Sequence, residues 1–410
     1  MSAELFKDQA VRIGAKICQE AIWHEGMCTW IGLEINASSA EMVCSRAVGP
    51  TVYGGTAGIA YFLADLFAVT QDPVFKRTAL GAVRHSTRGL ERLWREQYFG
   101  LFDGACGVLW SNALTAAIVD GDDSFSPLTS RGLDLWASSQ KASQSLDIIS
   151  GEAGIALTLL SKSTDDGVDA ITHTVLPGLA NHLMGGSLSS APLAGLAHGA
   201  AGLCTALSLL GSRLRCDRYT MRAVEWACYL LQLFDKGRGN WPDIRATPGS
   251  GTHLPSAVGW CHGAPGILLM TSVIPDIAHR ATLTSQALQA TSEQARLFVS
   301  DPEQDVTLCH GSLGYALCLH LHGLRVNCDE HVQLAVRVAK AACRQKESVG
   351  VWPNAVSKVE DSPQLMTGTA GVGHALLQIA GCSSMPCILD PIQLAGAVGH
   401  NGEPPKVRAR

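Results

Sequence analysis

The stretch LAHGAAGLCTALSLL, residues 196–210, sets two glycines three positions apart at the head of an apolar run. Behind them Leu203, Ala206, Leu207 and Leu210 recur at i, i+3, i+4 and i+7, the spacing of one helix face and not the alternation of a strand. The pattern is a repeat. Gly-x-x-Gly begins at Gly55, Gly104, Gly151, Gly199, Gly263, Gly311 and Gly368, with steps of 49, 47, 48, 64, 48 and 57 residues. Each period holds two helices and their turns, so each unit reads as a helical hairpin. The glycines permit either a positive φ or the close approach of a neighbouring segment.

Seven hairpins make fourteen helices at about 29 residues each, which uses the chain without a second domain. The expected fold is all-α: an α/α toroid of about seven hairpins with inner and outer helix rings, a single domain over residues 1–388. Residues 389–410, ending GHNGEPPKVRAR, are expected to form a polar tail. Low surface charge and the absence of a polar cap at either end favour a closed ring over an open solenoid. The two long steps mark insertions. The first covers GRGNWPDIRATPGSGTHLPSAVGW, residues 237–260, a loop directly ahead of Cys261. Trp241-Pro242 and Trp352-Pro353 mark the turns from outer to inner helix.

Composition narrows the function. The chain has 410 residues, 47% hydrophobic and 16% charged, so it can bury a large core. A net charge of −5 with no basic block argues against nucleic-acid binding. Glu4, Lys7, Asp8, Arg12 and Lys16 interrupt the N-terminus, which therefore does not read as a signal peptide, and no apolar run reaches the ~20 residues of a membrane span. A cytoplasmic protein, not an integral membrane one, is expected. Its fourteen cysteines then read as reduced thiols. Most fill the core, as Cys18, Cys204, Cys228, Cys318 and Cys343 do in apolar segments.

Cys261 and Cys309 stand apart. Immediately before the glycine pairs come His198, then Cys261-His262, then Cys309-His310, all at one phase of the repeat. In a ring of hairpins one phase means one rim, so these residues converge from distant parts of the chain. Cys261, Cys309 and His310 offer two thiolates and an imidazole, a donor set suited to Zn²⁺ with the fourth position left open for chemistry. The plainer alternative is two core cysteines and a capping histidine. His262 shares the phase as a supporting donor or a lid residue.

The stretches GWCHGAPG (259–266), LCHGSLG (308–314), LAHGAAG (196–202), DIISGEAG (147–154) and LMTGTAGVGHALL (365–377) together resemble the lanthipeptide synthetase C, or lanthionine cyclase, family. The resemblance runs from about Val52 to Ala380. It implies an α/α toroid, zinc held by Cys261, Cys309 and His310, and acid–base work by Asp147 and His198. The implied reaction adds a peptide cysteine thiol to dehydroalanine or dehydrobutyrine in the same precursor, closing (methyl)lanthionine thioether rings. Implied partners are a dehydrated precursor peptide, a separate dehydratase and a transporter. Some family members carry tyrosine where this chain has His262, and an arginine where it has Ala257. Two other activities fit the same residues: glutathione addition to dehydroamino acids in proteins, and a non-catalytic zinc or peptide scaffold. Asp147 has a further reading as a cap for the helix beginning near Gly151.

Overall fold

A computed structural model describes residues 2–35, 43–121, 145–161, 170–187, 193–245, 256 and 258–396. Among these lie fourteen α-helices. Seven start on the glycine pairs: α2 (Thr56–Thr70), α4 (Ala105–Asp120), α5 (Glu152–Leu160), α7 (Ala200–Leu214), α9 (Ala264–Met270), α11 (Ser312–Val326) and α13 (Thr369–Ala380). They form the inner ring. Each touches the next in chain order, and α13 touches α2, so the ring closes. The first eleven residues of α2, Thr56 to Leu66, are all buried, as expected of a helix enclosed on every side.

The outer layer is amphipathic. It holds α1 (Ser2–Gln19), α3 (Pro73–Arg95), α6 (Ala170–Met184), α8 (Asp217–Leu233), α10 (Ile277–Ser300) and α12 (Asp329–Val349). Among the described residues the seventh unit has no long outer helix after its inner one. That place is taken by α1, which packs on α13 and joins the two ends of the chain. Trp241 and Trp352, both buried, sit just beyond α8 and α12, at the outer-to-inner turns.

A second ring, made of backbone hydrogen bonds, runs through the loops two residues ahead of the glycine pairs. Tyr53 N donates to Phe102 O (2.7 Å), Phe102 N to Ile149 O (3.0 Å), Ile148 N to Ala197 O (3.0 Å) and Ala197 N to Cys261 O (3.2 Å). Cys261 N donates to Cys309 O (3.4 Å), Cys309 N to Met366 O (2.9 Å), and Met366 N back to Tyr53 O (3.0 Å). The glycines make this rim possible by close approach. A Cβ on Gly202 would collide with the carbonyl oxygen of Leu196, and one on Gly266 with that of Trp260. Positive φ is needed at only one leading glycine, Gly263, at 134°.

Two small antiparallel hairpins, absent from the all-α expectation, follow α1: β1 (Ile22–His24) with β2 (Met27–Thr29), and β3 (Ile31–Ile35) with β4 (Val43–Ala47). The chain also stays in the core past residue 388. Leu389 and Asp390 are fully buried, and α14 (Pro391–Gly396) packs on α5. This corrects the expected start of the tail. Leu389, Pro391 and Leu394 are apolar, and the Asp390 charge is met by Arg325. Residues 397–410 lie outside the described residues.

Candidate metal centre and acid–base pair

The rim sorts its side chains by phase. Two residues ahead of the glycines, Phe102, Ile149, Ala197, Cys261, Cys309 and Met366 are buried. One residue ahead, Asp103, Ser150, His198, His262, His310 and Thr367 are half-buried or exposed. The first set points into the barrel and the second toward its mouth. Cysteines and histidines that are neighbours in sequence therefore line one mouth at two depths.

Cys261, Cys309 and His310 come together as the sequence suggests. Their donor atoms all lie within 4.8 Å of one another, with both cysteines buried and His310 exposed. A hydrogen bond from Cys309 lowers the Cys261 thiol, with His310 assisting. The same bond, reinforced by burial, holds Cys309 up in its protonated form. His310 in turn is raised by its hydrogen bond to Cys261. Two sulfurs and an imidazole at this separation, one already poised as thiolate, suit a soft or borderline divalent ion. All fourteen cysteines are free thiols, so neither sulfur is spent in a disulfide.

Asp147 and His198 meet on the rim beside the Cys261 unit. His198 Nδ1 lies 2.7 Å from Asp147 Oδ2. The other oxygen, Oδ1, accepts from the amides of Ser150 (2.8 Å) and Gly151 (3.0 Å). Capping and histidine-holding are thus not alternatives, because each oxygen performs one of them. Burial pushes the Asp147 carboxyl up, but the bonds from His198 and the Ser150 amide outweigh it and leave the group below its ordinary value. A hydrogen bond donated from Nδ1–H to the carboxylate leaves Nε2 as the ring nitrogen available for other contacts.

His262 bridges the two halves. Its ring stacks on His198, centroids 5.2 Å apart and planes at 20°, and its backbone follows Cys261 directly. Burial lowers His262 and keeps it neutral, and its buried Nδ1 has no hydrogen-bond partner.

Three further groups escaped the sequence reading. Arg245, in the insertion, is clamped to Asp243 by bonds of 2.9 and 2.7 Å, and its charge acts on Cys261, Cys309, His262 and His310. No motif marks it. Asp103 holds the rim place of the second unit, accepts from Ser150 Oγ at 2.5 Å, and is raised by burial. Its phase alone could have found it. Tyr53, one ring step beyond Met366, donates its hydroxyl to Cys309 Sγ at 3.0 Å. Ala257 lies outside the described residues.

Residues 46–389 match the sequence model of a family described as lanthionine synthetase C-like protein. The chain belongs to the lanthionine synthetase C-like family. The fold agrees with a solved member of similar shape, nisin cyclase, at a TM-score of 0.61 and 16% identity over 84% of this chain and 91% of that one. No curated protein sequence matches the chain. Among the described residues no helix is long and apolar enough to cross a membrane.

Proposed function

We propose that this protein is a zinc-dependent lanthipeptide cyclase, acting on a precursor peptide whose serines and threonines have been dehydrated to dehydroalanine and dehydrobutyrine. One observation carries the reading: a Cys-Cys-His donor cluster and an Asp–His pair open onto the same mouth, joined by the stacked His262. A cyclase needs both, one to activate a thiol and one to deliver a proton.

Cys261, Cys309 and His310 would hold the zinc ion, and the chemistry it would supply is to lower the pKa of a peptide cysteine, whose free thiol near pKa 8.5 is mostly protonated at neutral pH. The sulfur pair then forms a bond to the β-carbon of the dehydro residue, and the C=C pair moves onto the α-carbon and carbonyl as an enolate. His198 Nε2 delivers a proton to the α-carbon. Asp147 fixes the donor tautomer through Nδ1 and stabilises the imidazolium before the proton leaves. Arg245 supplies positive potential near the developing enolate, the place for which the family's arginine is missing here. His262, neutral and stacked, keeps water from one face of His198 and adds no competing charge.

The test is to incubate the purified protein with a dehydrated, cysteine-containing peptide, with and without glutathione, and read products by mass spectrometry after thiol alkylation. Ring closure leaves the peptide mass unchanged and removes a free thiol. A gain of glutathione mass supports the intermolecular activity instead, and no change in either arm leaves a scaffold. Metal analysis accompanies it: Cys261→Ala or Cys309→Ala loses most bound zinc, and full occupancy in either refutes the ligand assignment.

A further inference from the structure

The rim position two residues ahead of the glycines is apolar in four units and a proposed ligand in two. The remaining unit carries Tyr53. Phenylalanine would fill that place as well, since Phe102 does so in the next unit, so packing does not account for the hydroxyl. The tyrosine is held on three sides. Its N–H and C=O are both fixed in the ring of backbone hydrogen bonds, and its ring meets Phe102 edge-on at 6.4 Å. Held this way, the hydroxyl reaches Cys309 Sγ at 3.0 Å across 256 residues of sequence.

We infer that Tyr53 is a positioning residue for the metal centre, aiming the Cys309 sulfur and withdrawing part of the electron density that this ligand gives the ion. The inference rests on the proposed metal reading. A sulfur that accepts an O–H hydrogen bond has a stabilised lone pair and donates less to a metal, and donors of this kind govern ligand orientation as well. The phenol is suited to the role. Its O–H is a neutral donor and is directed at the sulfur. With two protein thiolates and a substrate thiolate around one divalent ion, withdrawing density from Cys309 keeps the ion able to hold the third sulfur.

Cobalt in place of zinc makes the sulfur visible through its thiolate-to-metal charge-transfer absorption. In Tyr53→Phe the unrelieved lone pair lies higher, so the band is expected to move to lower energy. Retention of cobalt against a chelator is expected to fall about tenfold. Met366→Leu, at the same phase but with no side-chain bond to sulfur, serves as the control and leaves the band in place. An unshifted band with unchanged retention in Tyr53→Phe overturns the inference while leaving the metal centre intact. Wild-type protein that takes up cobalt without any thiolate band overturns the metal reading itself, a distinct result.

Discussion

Among the described residues two aspartate–histidine pairs link inner-ring units, and their settings differ. Asp65 and His374, on α2 and α13, are fully buried, with Nδ1 3.3 Å from the carboxylate. Every atom is engaged: Asp65 also accepts from Ser383 Oγ (2.7 Å) and the amides of Ser384 (2.8 Å) and Met385 (3.3 Å), while His374 Nε2 accepts from Ile388 N at 3.4 Å. This pair ties the C-terminal segment into the barrel. In the Asp147–His198 pair the carboxylate is as fully used, but the histidine side chain is 38% exposed. The two pairs differ in exposure: His374 is sealed in the core, while His198 reaches solvent.

The largest break of this comparison is Asp65→Ala. It removes the acceptor of the Ser383 hydroxyl, of the Ser384 and buried Met385 amides and of the buried His374 ring, so unfolding by denaturant should show a loss of about 3–5 kcal/mol. A loss under about 1 kcal/mol would mean that the C-terminal segment is held by other contacts. His198→Asn is the converse. Ring closure should slow by roughly 10²-fold, about 2.7 kcal/mol of barrier, with zinc content kept and stability changed by less than about 0.5 kcal/mol. Wild-type turnover would remove His198 from the mechanism.

Asp147→Asn sharpens the point, because the amide oxygen keeps the caps on Ser150 and Gly151 while the carboxylate charge is gone. Turnover should fall about tenfold with the fold intact. The variant should also lose a piece of acid sensitivity. The Asp147 pKa is lowered on folding, so its contribution to stability is present above the unfolded value near 3.9 and vanishes as pH falls through the lower folded value. Acid titrations of unfolding that coincide for wild type and variant would contradict this. The smallest effect is at Asp103, whose carboxyl is raised by burial and therefore costs stability once ionised. Asp103→Asn should raise the unfolding midpoint at pH 7 and lose that advantage at pH 3, below both pKa values. An advantage equal at both pH values would show that charge is not its cause.

Much of this was legible along the chain. The glycine pairs and the apolar spacing behind them predict all seven inner helices, since burial on every side demands a run with no polar face. The shared phase predicts that Cys261, Cys309 and His310 meet. The boundary at residue 388 was illegible for a local reason: Asp390 reads as polar and terminal until Arg325, 65 positions earlier, supplies its partner. Arg245 was hidden because it lies in an insertion without repeat phase. The ambiguity at Asp147 dissolved only when its two oxygens were seen to face different donors.

The sequence by itself determined the unit, its repeat, and which side chains stand at the rim, because helix formation and glycine contact are local and recur with each copy. Only the tertiary structure decided how the ends join. Helix α1 completes the seventh unit, closure brings Tyr53 to Cys309, and the stacking of His262 on His198 sets the Asp147–His198 pair beside the Cys261–Cys309–His310 cluster. These depend on packing between segments far apart in the chain, where a periodic pattern specifies that a ring can close but not which side chains closure sets face to face.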